Sequence, residues 1–520
     1  MSWRFRSAIR RCGLLGLLVA RLTCAQAGFD CGAPPMPVLT SPVVLGNGSA
    51  GSVTTTALQN ALNAGGDIRL NVGTSTVGLT QELVITRTTT LDANGATLSG
   101  GNTHRVMQVT NPDNLTYTFN LLNATVTGGN SKSAGTTTSD KSGAGLWKPD
   151  GGPSQAVTIR VFNSHFTGNT AIVAAQDDGG GGAYVVGAAE FSVVNSTFDN
   201  NAGSNGGAFY SLGSKTVNVF DSTLTNNVAT GSGGNPGNGG NGGAVGVDGD
   251  ARDLNFCRAR VLGNHANVYG GGLFTVTYSA ASYTRIENST FDGNVGGSSA
   301  LAGGAYIQGS PLTVYGSTFS SNTAGGYAGL ALFGQGGVLS GDITNSTLAG
   351  NSATNGLGGA MSIQGATSLI LQNLTIANNS STCAGVCFAG GIANDTGAAL
   401  TMRDVIFLNN TGDNAFNPWA ILHPAAAGSN NLQWPQSRGS GHTETAAAPG
   451  TTFADALLLP LADNGGLTQT LALSGGSPAL NAGTATGAPV TDQRGYPRFG
   501  AVDIGAFEYA PDEIFADGFE

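Results

Sequence analysis

The sequence predicts an all-β protein that folds as a right-handed parallel β-helix with an N-terminal helical cap. Three observations support this prediction: abundant glycine, few charges, and a motif that recurs through the middle of the chain. Glycine supplies 83 of the 520 residues and only 10% are charged, against averages of about 7% and about 25%. The 40% apolar content excludes a disordered chain. The composition therefore favours a turn-rich β protein.

Residues 1–27 are typical of a secretory signal peptide. Basic residues precede an apolar run from Gly13 to Ala20, and Ala25 and Ala27 supply the small residues of a cleavage site. This run is too short for a membrane helix, and no later stretch is long enough. We therefore expect an exported protein, extracellular or at the cell surface or outer membrane, with no transmembrane span in the mature chain.

The charge balance argues against nucleic-acid binding. The chain carries 21 Lys and Arg against 31 Asp and Glu, a net charge of −10 at pH 7. Such a surface repels a phosphate backbone. We expect a monomer without a nucleic-acid partner.

A repeat of nine units fills residues 155–410. Each unit closes with an apolar residue followed three positions later by asparagine, and neighbouring asparagines are 26 to 37 residues apart. The closing asparagines are Asn169, Asn201, Asn227, Asn264, Asn294, Asn322, Asn351, Asn379 and Asn410. Most units then carry a glycine pair followed by a small or apolar residue, as in Gly182-Ala183. Each unit is interpreted as one coil of a solenoid.

Apolar residues alternate within each unit and then slip by one position. Val161, Val193 and Ile286 belong to a column that is apolar in every unit, and this period of two indicates a strand with one buried face. The slip occurs where asparagine and aspartate collect, because these residues tolerate a left-handed backbone. The predicted bend positions are Asn163, Asn195, Asp221, Asn288, Asn345, Asn373 and Asp404.

Two short strands joined by this bend, a loop, and a third strand after the glycine pair describe one coil of a parallel β-helix. Equivalent residues then stack about 4.8 Å apart, so asparagine ladders and aromatic stacks are expected. The gap from closing asparagine to glycine pair varies from 5 to 15 residues. Insertions therefore gather at one corner, which is either a recognition edge or a set of drifting solvated loops.

Both ends of the solenoid need a cap. Residues Thr54 to Ala64 predict a helix with Leu58 and Leu62 on one face, which we expect to plug the N-terminal end. The predicted divisions are residues 1–27 for the signal peptide, 28–66 for the N-terminal segment and cap helix, 67–410 for the β-helix, 411–456 for a linker or irregular coil, 457–509 for a compact C-terminal module, and 510–520 for an acidic, aromatic tail.

The repeats resemble those of polymorphic outer membrane proteins, a family of secreted and surface-displayed bacterial β-helices, through their Phe-x-x-Asn and Gly-Gly-Ala elements. The C-terminal module is similar to the choice-of-anchor Q domain, which ends the β-helix of many exported bacterial proteins. The segments that carry this second resemblance are Leu461–Thr468, Ser477–Gly483, Asp492–Gly495 and Asp503–Glu508. The resemblances imply a bacterial surface or secreted protein. The tail Asp512–Glu520 is either a sorting tag or a frayed terminus.

A polysaccharide-degrading enzyme is the alternative, since lyases and hydrolases also use pectin lyase-like solenoids. Such enzymes need carboxylates on neighbouring coils, with a basic residue for a lyase or a carboxylate pair about 5 to 9 Å apart for a hydrolase. One cluster of charged residues is richer than the others. Its charges are best explained by a solvated turn and by the bend column, and a catalytic role is the alternative. The candidate catalytic residues in it are Asp248, Asp250, Arg252, Arg258 and Arg260.

Three residues are candidate binding groups. Trp147, in the polar insertion Gly128 to Pro153, is the aromatic residue expected to be exposed. Asp177 and Asp178 precede four glycines and are candidates for Ca²⁺, although the array of oxygen ligands that calcium needs is not evident. No other metal or cofactor is expected.

Aromatic residues also stand at the second position after several glycine pairs. Tyr184, Phe209, Phe274 and Tyr306 would stack in a row, either as a glycan-binding platform or in the core. Valines that continue the same parity favour the core.

Four cysteines follow the leader, and export permits disulfides. Cys383 and Cys387 predict a local bridge; a zinc site is the alternative, which no second cysteine pair or histidine cluster supports. Cys31 and Cys257 pair only if the fold brings them together.

The sequence therefore favours a non-catalytic, exported β-helix in adhesion or in contact with a glycan or cell surface. The alternative is a polysaccharide lyase or glycoside hydrolase that acts on acidic polysaccharide. Two outward carboxylates and an arginine on neighbouring coils within one groove would favour the enzyme.

Overall fold

The computed structural model describes residues 30–510 except 132–134, 136, 138, 151–154, 172–174, 235–236, 250–251, 279–280, 335–337, 396–398 and 440. The predicted signal peptide and the tail Asp512–Glu520 lie outside the described residues. Across the described part of the chain, no helix is both long enough and apolar enough to cross a membrane.

The predicted parallel β-helix is confirmed, with three sheets running along its length. We call them the bent sheet, the glycine sheet and the short-strand sheet. The bent sheet has 26 strands, the glycine sheet 11 and the short-strand sheet 8. A coil gives the bent sheet two short strands that meet at the asparagine bend, and it gives the glycine sheet the strand that follows the glycine pair. Equivalent strands of successive coils pair in parallel, which builds each sheet.

The bent sheet consists of two ladders. The first ladder comprises Val43–Leu45, Gly66–Leu70, Thr89–Asp92, Tyr117–Leu122, Val157–Phe162, Glu190–Val194, Thr216–Phe220, Asp253–Cys257, Tyr283–Glu287, Leu312–Tyr315, Leu400–Arg403 and Ala427–Ser429. The second ladder comprises Thr76–Gly78, Thr97–Ser99, Thr125–Thr127, His165–Thr167, Thr197–Asp199, Thr223–Thr225, Arg260–Leu262, Thr290–Asp292, Thr318–Ser320, Ile406–Leu408, Asn431–Trp434 and Thr451–Phe453. Two long strands, Leu339–Ala349 and Ala366–Ala377, run through the bend and belong to both ladders.

The other elements are shorter. The glycine sheet comprises Leu83–Ile85, Met107–Val109, Leu146–Lys148, Ala183–Val186, Phe209–Leu212, Val245–Asp248, Leu273–Val276, Ala305–Gln308, Leu330–Phe333, Met361–Gln364 and Ile392–Asn394. The short-strand sheet comprises Ala202–Gly203, Val228–Ala229, His265–Ala266, Val295–Gly296, Thr323–Ala324, Ser352–Ala353, Ser380–Ser381 and Thr411–Gly412. The remaining elements are the helix Thr55–Ala64, a 3₁₀ turn Ser139–Lys141, and two antiparallel pairs, Ser437–Gly439 with His442–Thr443 and Leu458–Ala462 with Thr470–Leu473.

The helix Thr55–Ala64 lies at the N-terminal end of the solenoid. Its Leu58 and Leu62 are fully buried, and the helix packs on Leu83–Ile85, the first strand of the glycine sheet. The strand Val43–Leu45 is the first strand of the bent sheet and pairs in parallel with Gly66–Leu70. The helix and this strand therefore lie at the N-terminal edges of the glycine sheet and the bent sheet. The role of the helix as a plug stays a prediction.

The closing asparagines form a continuous buried ladder. The Asn294 side-chain amide donates to Asn322 Oδ1 at 3.0 Å and to the Val261 carbonyl at 2.8 Å, and the Asn294 backbone amide donates to the same Oδ1 at 3.0 Å. These three bonds recur in every rung from Asn169 to Asn379. Every one of these side chains is fully buried. Because each amide finds its partners in the neighbouring coils, the ladder carries no unsatisfied polar group.

The predicted apolar and bend columns stack as expected. Val161 pairs in register with Val193, and both are fully buried. All seven predicted bend residues have φ between 45° and 55°, the left-handed region that asparagine and aspartate tolerate. Phe166 and Phe198 stack with ring centroids 4.5 Å apart. Backbone bend, buried amide and aromatic column thus repeat together from coil to coil.

The prediction of a linker or irregular coil at residues 411–456 is wrong. Asn431–Trp434 pairs with Ile406–Leu408, and Thr451–Phe453 pairs with Asn431–Trp434, all in parallel. The bent sheet therefore continues past the last clear repeat. Small residues dominate this stretch, so its apolar period is too weak to read from the sequence.

The C-terminal module, residues 457–509, folds back onto the outer side of the bent sheet. The Gln493 side-chain amide donates to Thr318 Oγ1 at 2.8 Å, and the Arg498 guanidinium donates to Asn345 Oδ1 at 2.9 Å. An apolar cluster seals the contact; among its members are Ala349, Ala377, Ile406, Leu408, Leu432, Leu471, Leu473, Ile504 and Phe507. The module thus lies along the flank of the solenoid.

Removing one rung of the asparagine ladder should destabilise the solenoid. In Asn294→Ala, the Asn264 amide groups and the Val261 carbonyl lose buried partners, at roughly 1–3 kcal/mol for each unsatisfied group. We expect a loss in the free energy of unfolding of roughly 3 kcal/mol or more, measured by urea unfolding followed by circular dichroism. Asn63→Ala removes an exposed amide from the helix and is the matched control. Equal midpoints for the two variants would contradict the structural role of the ladder.

The stability of the docked module should depend on pH through Asp404. This fully buried carboxylate accepts hydrogen bonds from the Thr484 backbone amide at 2.8 Å and from the Gln372 side chain at 2.9 Å. Burial raises its pKa from 3.8 to about 6. Because the folded state binds this proton more tightly than the unfolded state does, stability is greatest below the ordinary pKa and is lost as pH rises through about 6.

Asp404→Asn should therefore reduce the loss of stability between pH 5 and pH 7, because asparagine suits the left-handed bend and carries no charge. Urea unfolding at the two pH values measures the change. Asp455→Asn, at an exposed carboxylate, is the control. An unaltered pH dependence in Asp404→Asn would show that other buried carboxylates produce the effect.

Candidate functional site

A row of outward polar side chains follows the first ladder of the bent sheet; we call it the polar face. Alternate residues of a strand point to opposite sides, so residues between the buried apolar positions point away from the core. Strand register aligns them from coil to coil. The polar face comprises Asn120, Arg160, Ser192, Asn218, Asn255, Arg285, Thr313 and Asp342.

The N-terminal segment, residues 30–42, forms one wall of the polar face. A neighbouring outward row on the bent sheet is apolar, and Cys31, Ala33 and Leu39 of the segment pack against it. This apolar row consists of Leu122, Phe162, Val194, Phe220 and Cys257. A disulfide joins Cys31 to Cys257 with Cα atoms 5.8 Å apart, which answers the pairing that the sequence left open. The segment is thereby fixed beside the polar groups.

Charged groups near this wall are already paired. The Arg160 guanidinium donates two hydrogen bonds to Glu190, at 2.8 and 2.6 Å, and the Ser192 hydroxyl donates a third at 2.6 Å. Burial favours the neutral form of Glu190, but the bonds from Arg160 and Ser192 outweigh it and lower the pKa of Glu190. The carboxylate therefore stays ionised, and the pair contributes no net charge.

Uncharged amides occupy the centre of the polar face. The Asn255 side chain donates to Asn218 Oδ1 at 2.9 Å, and the Asn218 side chain donates to Ser192 Oγ at 2.9 Å. Lys215 is exposed in the adjoining groove of about 460 Å³. Among the described residues, no carboxylate lies within ion-pair distance of its ammonium group. Amides, hydroxyls and one free cation thus share this groove.

Nearer the C-terminal module, Arg285 and Asp342 of the polar face lie near Glu287, which follows Cys257 in the neighbouring outward row. Arg285 Nε lies 3.5 Å from Glu287 Oε1. Asp342 accepts from Thr313 Oγ1 at 3.3 Å and from Thr344 Oγ1 at 3.4 Å. Burial raises the pKa of both carboxyl groups, and the Asp342 charge raises that of Glu287 further while Arg285 opposes the shift. Glu287 and Asp342 therefore hold a proton more readily than exposed carboxylates do.

These three residues were not among the predicted site residues, although the alternation of buried and outward positions along the strands indicates them. Arg285 and Glu287 flank the predicted core residue Ile286, and Asp342 precedes the predicted core residue Ile343. The same parity that assigns the isoleucines to the core assigns their neighbours to the outside.

The four predicted catalytic residues that the structure describes do not form one cluster. Asp248 lies on the glycine sheet, where its carboxylate accepts from the Gly249 amide at 2.7 Å. Arg252 is 1% exposed and donates to the Val276 carbonyl at 2.5 Å. Asp250 lies outside the described residues. Asp248 and Arg252 are both buried and are not part of the polar face.

The two remaining arginines lie on the bent sheet. Arg258 stands at the left-handed bend and makes two bonds to Asp221, at 2.5 and 2.8 Å. Arg260 begins a strand of the second ladder and is exposed. Among the described members of the predicted cluster, only Arg260 presents an exposed charged group on the outer side of the bent sheet.

The expectation that Trp147 is exposed is wrong. Trp147 lies on a strand of the glycine sheet and is 7% exposed. The Arg105 guanidinium lies over its ring, 4.1 Å from the centroid. Strand register places Trp147 beside Tyr184, and Tyr184 beside Tyr210. The residues around Trp147 form one strand of a regular coil, although their polar composition does not indicate a strand in the sequence.

The aromatic residues after the glycine pairs divide between two sides of the glycine sheet. Phe209 belongs to the core, as predicted. Tyr184, Phe274 and Tyr306 are buried as well, as predicted, but in separate hydrophobic clusters on the other side of the glycine sheet. Tyr269, from the variable corner, stacks over Tyr306 with centroids 5.1 Å apart. The insertions therefore cover this aromatic row, which is not available as a glycan platform.

Asp177 and Asp178 lie beside the outward Tyr184. The Tyr184 hydroxyl donates to the Asp177 carbonyl at 3.0 Å and to Asp178 Oδ1 at 3.2 Å. Burial and the neighbouring Asp178 charge raise the pKa of Asp177. Over the described residues, no three His, Cys, Asp or Glu side chains are grouped to hold a metal ion. Calcium binding here stays a prediction.

A disulfide joins Cys383 to Cys387, with Cα atoms 5.2 Å apart. The loop that it closes surrounds Asp413, whose carboxylate accepts from the backbone amides of Cys383, Gly385 and Cys387 at 2.7 to 2.8 Å. These bonds give the loop a defined shape and leave the two sulfur atoms in a structural bridge.

Neither family models nor curated proteins match this sequence. Among solved structures, the chain is similar to tailspike protein 3 of bacteriophage CBA120, with 14% identity, a TM-score of 0.29 and coverage of 70% of this chain and 57% of the tailspike. It is also similar to pectate lyase Pel9A, with 14% identity, a TM-score of 0.33 and coverage of 90% of this chain and 96% of the lyase. The chain thus spans little more than half the length of the tailspike. Identity at this level carries no information about substrate.

Proposed function

We propose that this protein is an exported bacterial β-helix, secreted or displayed at the cell surface, whose polar face binds glycans. The observation that carries the proposal is the polar face itself. It aligns amides, hydroxyls and paired charges in register along the first ladder of the bent sheet, at intervals of about 4.8 Å. A polysaccharide presents hydroxyl groups at regular intervals along an extended chain, so a linear array of donors and acceptors suits it.

The chemistry of the polar face matches hydroxyl recognition. Side-chain amides such as those of Asn218 and Asn255 can both donate and accept, which is what a sugar hydroxyl requires. Their bonds to one another fix their orientation before a ligand arrives. The Arg160–Glu190 pair offers additional donors without a net charge. The groove beside the N-terminal segment confines a ligand to the sheet.

The proposal of export rests on separate observations. Residues 1–27 have the charge and apolar pattern of a leader. The Cys31–Cys257 and Cys383–Cys387 disulfides suit an oxidising compartment. The resemblance of the repeats to polymorphic outer membrane proteins, and of the C-terminal module to the choice-of-anchor Q domain, supports a place at the bacterial surface.

Removal of the central amides should weaken glycan binding. We expect the double variant Asn218→Ala, Asn255→Ala to lose at least tenfold in affinity for whichever polysaccharide the unaltered protein retains on a glycan array, because each amide provides a directed hydrogen bond worth about 1 kcal/mol. Thr323→Ala, on the short-strand sheet, is the control. Equal binding by both variants would exclude the polar face as the site.

The group Arg285, Glu287 and Asp342 favours a second candidate function, cleavage of acidic polysaccharide. A carboxyl group with a raised pKa can protonate a glycosidic oxygen, and its partner can act as base or nucleophile. An arginine beside them can hold a sugar carboxylate. Arg285 and Glu287 line one groove, and Asp342 lies two strands further along the same sheet.

Product assays separate the two functions. If the protein cleaves polysaccharide, Glu287→Gln and Asp342→Asn should each lower the rate by roughly 10²-fold or more, measured as new reducing ends or as absorbance of unsaturated uronates. Glu190→Gln, outside the proposed catalytic group, should retain activity. Binding by the unaltered protein without any product would leave the glycan-binding proposal in place and remove the enzyme.

A further inference from the structure

A second cleft lies where the C-terminal module meets the second ladder of the bent sheet. Its volume is about 380 Å³, within the range of about 300–1,000 Å³ that is usual for small-molecule sites. Arg260, Thr290 and Asp292, from neighbouring strands, line the solenoid side. Asp463 and the loop 466–469 line the module side. The cleft exists only because two distant parts of the chain meet.

Arg260 is the unusual residue of this cleft. Strand register places it between Thr223 and Thr290, so a guanidinium stands between two hydroxyl-bearing side chains. Arg260 is exposed, and within the described part of the chain no carboxylate lies at ion-pair distance from it. Arg258, two residues earlier, is by contrast bound to Asp221. Arg260 therefore retains its full hydrogen-bonding capacity for a ligand.

The module side of the cleft is held rigidly. Thr468 Oγ1 donates to the Gly316 carbonyl at 2.8 Å, and Thr318 Oγ1 donates to the Gln469 carbonyl at 2.6 Å. Gly466 has φ 94°, and a β-carbon there would lie 2.6 Å from Arg494 Cα, so only glycine fits. A wall fixed in this way loses little entropy when a ligand binds.

We infer that this cleft binds a uronate residue of an acidic glycan, an inference that rests on the proposed glycan-binding function. Arg260 holds the sugar carboxylate through two parallel hydrogen bonds, the geometry that a guanidinium offers. Asp292 and Asp463 accept hydrogen bonds from ring hydroxyls. Leu262 and Leu467 provide apolar surface for the C–H side of the ring.

The combination of groups selects this ligand class. A neutral sugar leaves the Arg260 charge without a partner. Sulfate has no hydroxyl donor for Asp292 and Asp463, and doubly charged phosphate has one donor and is repelled by both carboxylates more strongly than a singly charged uronate is. A uronate carries one carboxylate for Arg260 and several hydroxyls for the two aspartates, so it satisfies all the polar groups together.

Calorimetric titration of the full mature chain tests the inference. One titration uses a trimer of galacturonate, and the other uses the same trimer after its carboxyl groups have been reduced to alcohols. We expect the charged trimer to bind, the reduced trimer to bind at least tenfold more weakly, and the affinity for the charged trimer to fall with added salt. Arg260→Gln should weaken binding of the charged trimer at least tenfold and leave the reduced trimer unaffected. Leu467→Ala should weaken both.

Arg87→Gln, which removes an exposed arginine outside both the cleft and the polar face, is the matched control and should bind the charged trimer like the unaltered protein. Unaltered binding in Arg260→Gln, together with loss of binding in Lys215→Gln at the groove beside the polar face, would overturn the inference and leave glycan binding by the polar face standing. Failure of the unaltered protein to bind any glycan, charged or neutral, would overturn both proposals. Arg260 is exposed, so its substitution does not threaten folding, and circular dichroism verifies this.

Discussion

A ladder of buried asparagine amides is the interaction on which the rest of the structure depends. Each rung ties together three coils, because an amide such as that of Asn294 contacts the next asparagine on one side and the carbonyl of Val261 on the other. A shift of one coil by a single residue would leave several buried polar groups without partners, which is far more costly than the loss of one surface contact. The ladder therefore fixes the vertical register. Outward rows such as the polar face inherit that register at no additional cost.

Two segments cover parts of the outer side of the bent sheet. The N-terminal segment lies across the apolar row and is bonded to it through Cys31 and Cys257. The C-terminal module covers the far coils through Gln493, Arg498 and an apolar cluster. What remains uncovered is polar and bounded at both ends. The insertions at the variable corner, predicted to be either a recognition edge or solvated loops, bury aromatic side chains such as Tyr306.

The sequence predicts whatever repeats with the coil, and it misses what depends on contact between distant segments. The bend residues, the buried asparagines and core residues such as Val193 follow from a periodic pattern, since each coil repeats the same physical constraints. The docking of the module has no such signal. Cys31 and Cys257 lie 226 residues apart, and no local pattern indicates their contact. The predictions of an exposed Trp147 and of an irregular coil at residues 411–456 are wrong because polar or small residues interrupt the apolar period there. Arg285, Glu287 and Asp342 were within reach of the parity argument.

The distribution of free charge decides which ligands a surface of this kind can distinguish. The protein carries a net charge of −10. Physiological salt screens the repulsion of polyanions by this charge beyond the Debye length of about 8 Å. Selectivity between ligands must therefore come from groups in direct contact with them. Most cations on the bent sheet are neutralised by partners, as Arg160 is by Glu190 and Arg258 by Asp221. Among the described residues, Lys215 and Arg260 are exposed cations with no carboxylate at ion-pair distance. In the glycan-binding function that we propose, the rigid amides contribute affinity for hydroxyl groups in general, and the cleft around Arg260 sets where an acidic sugar lies.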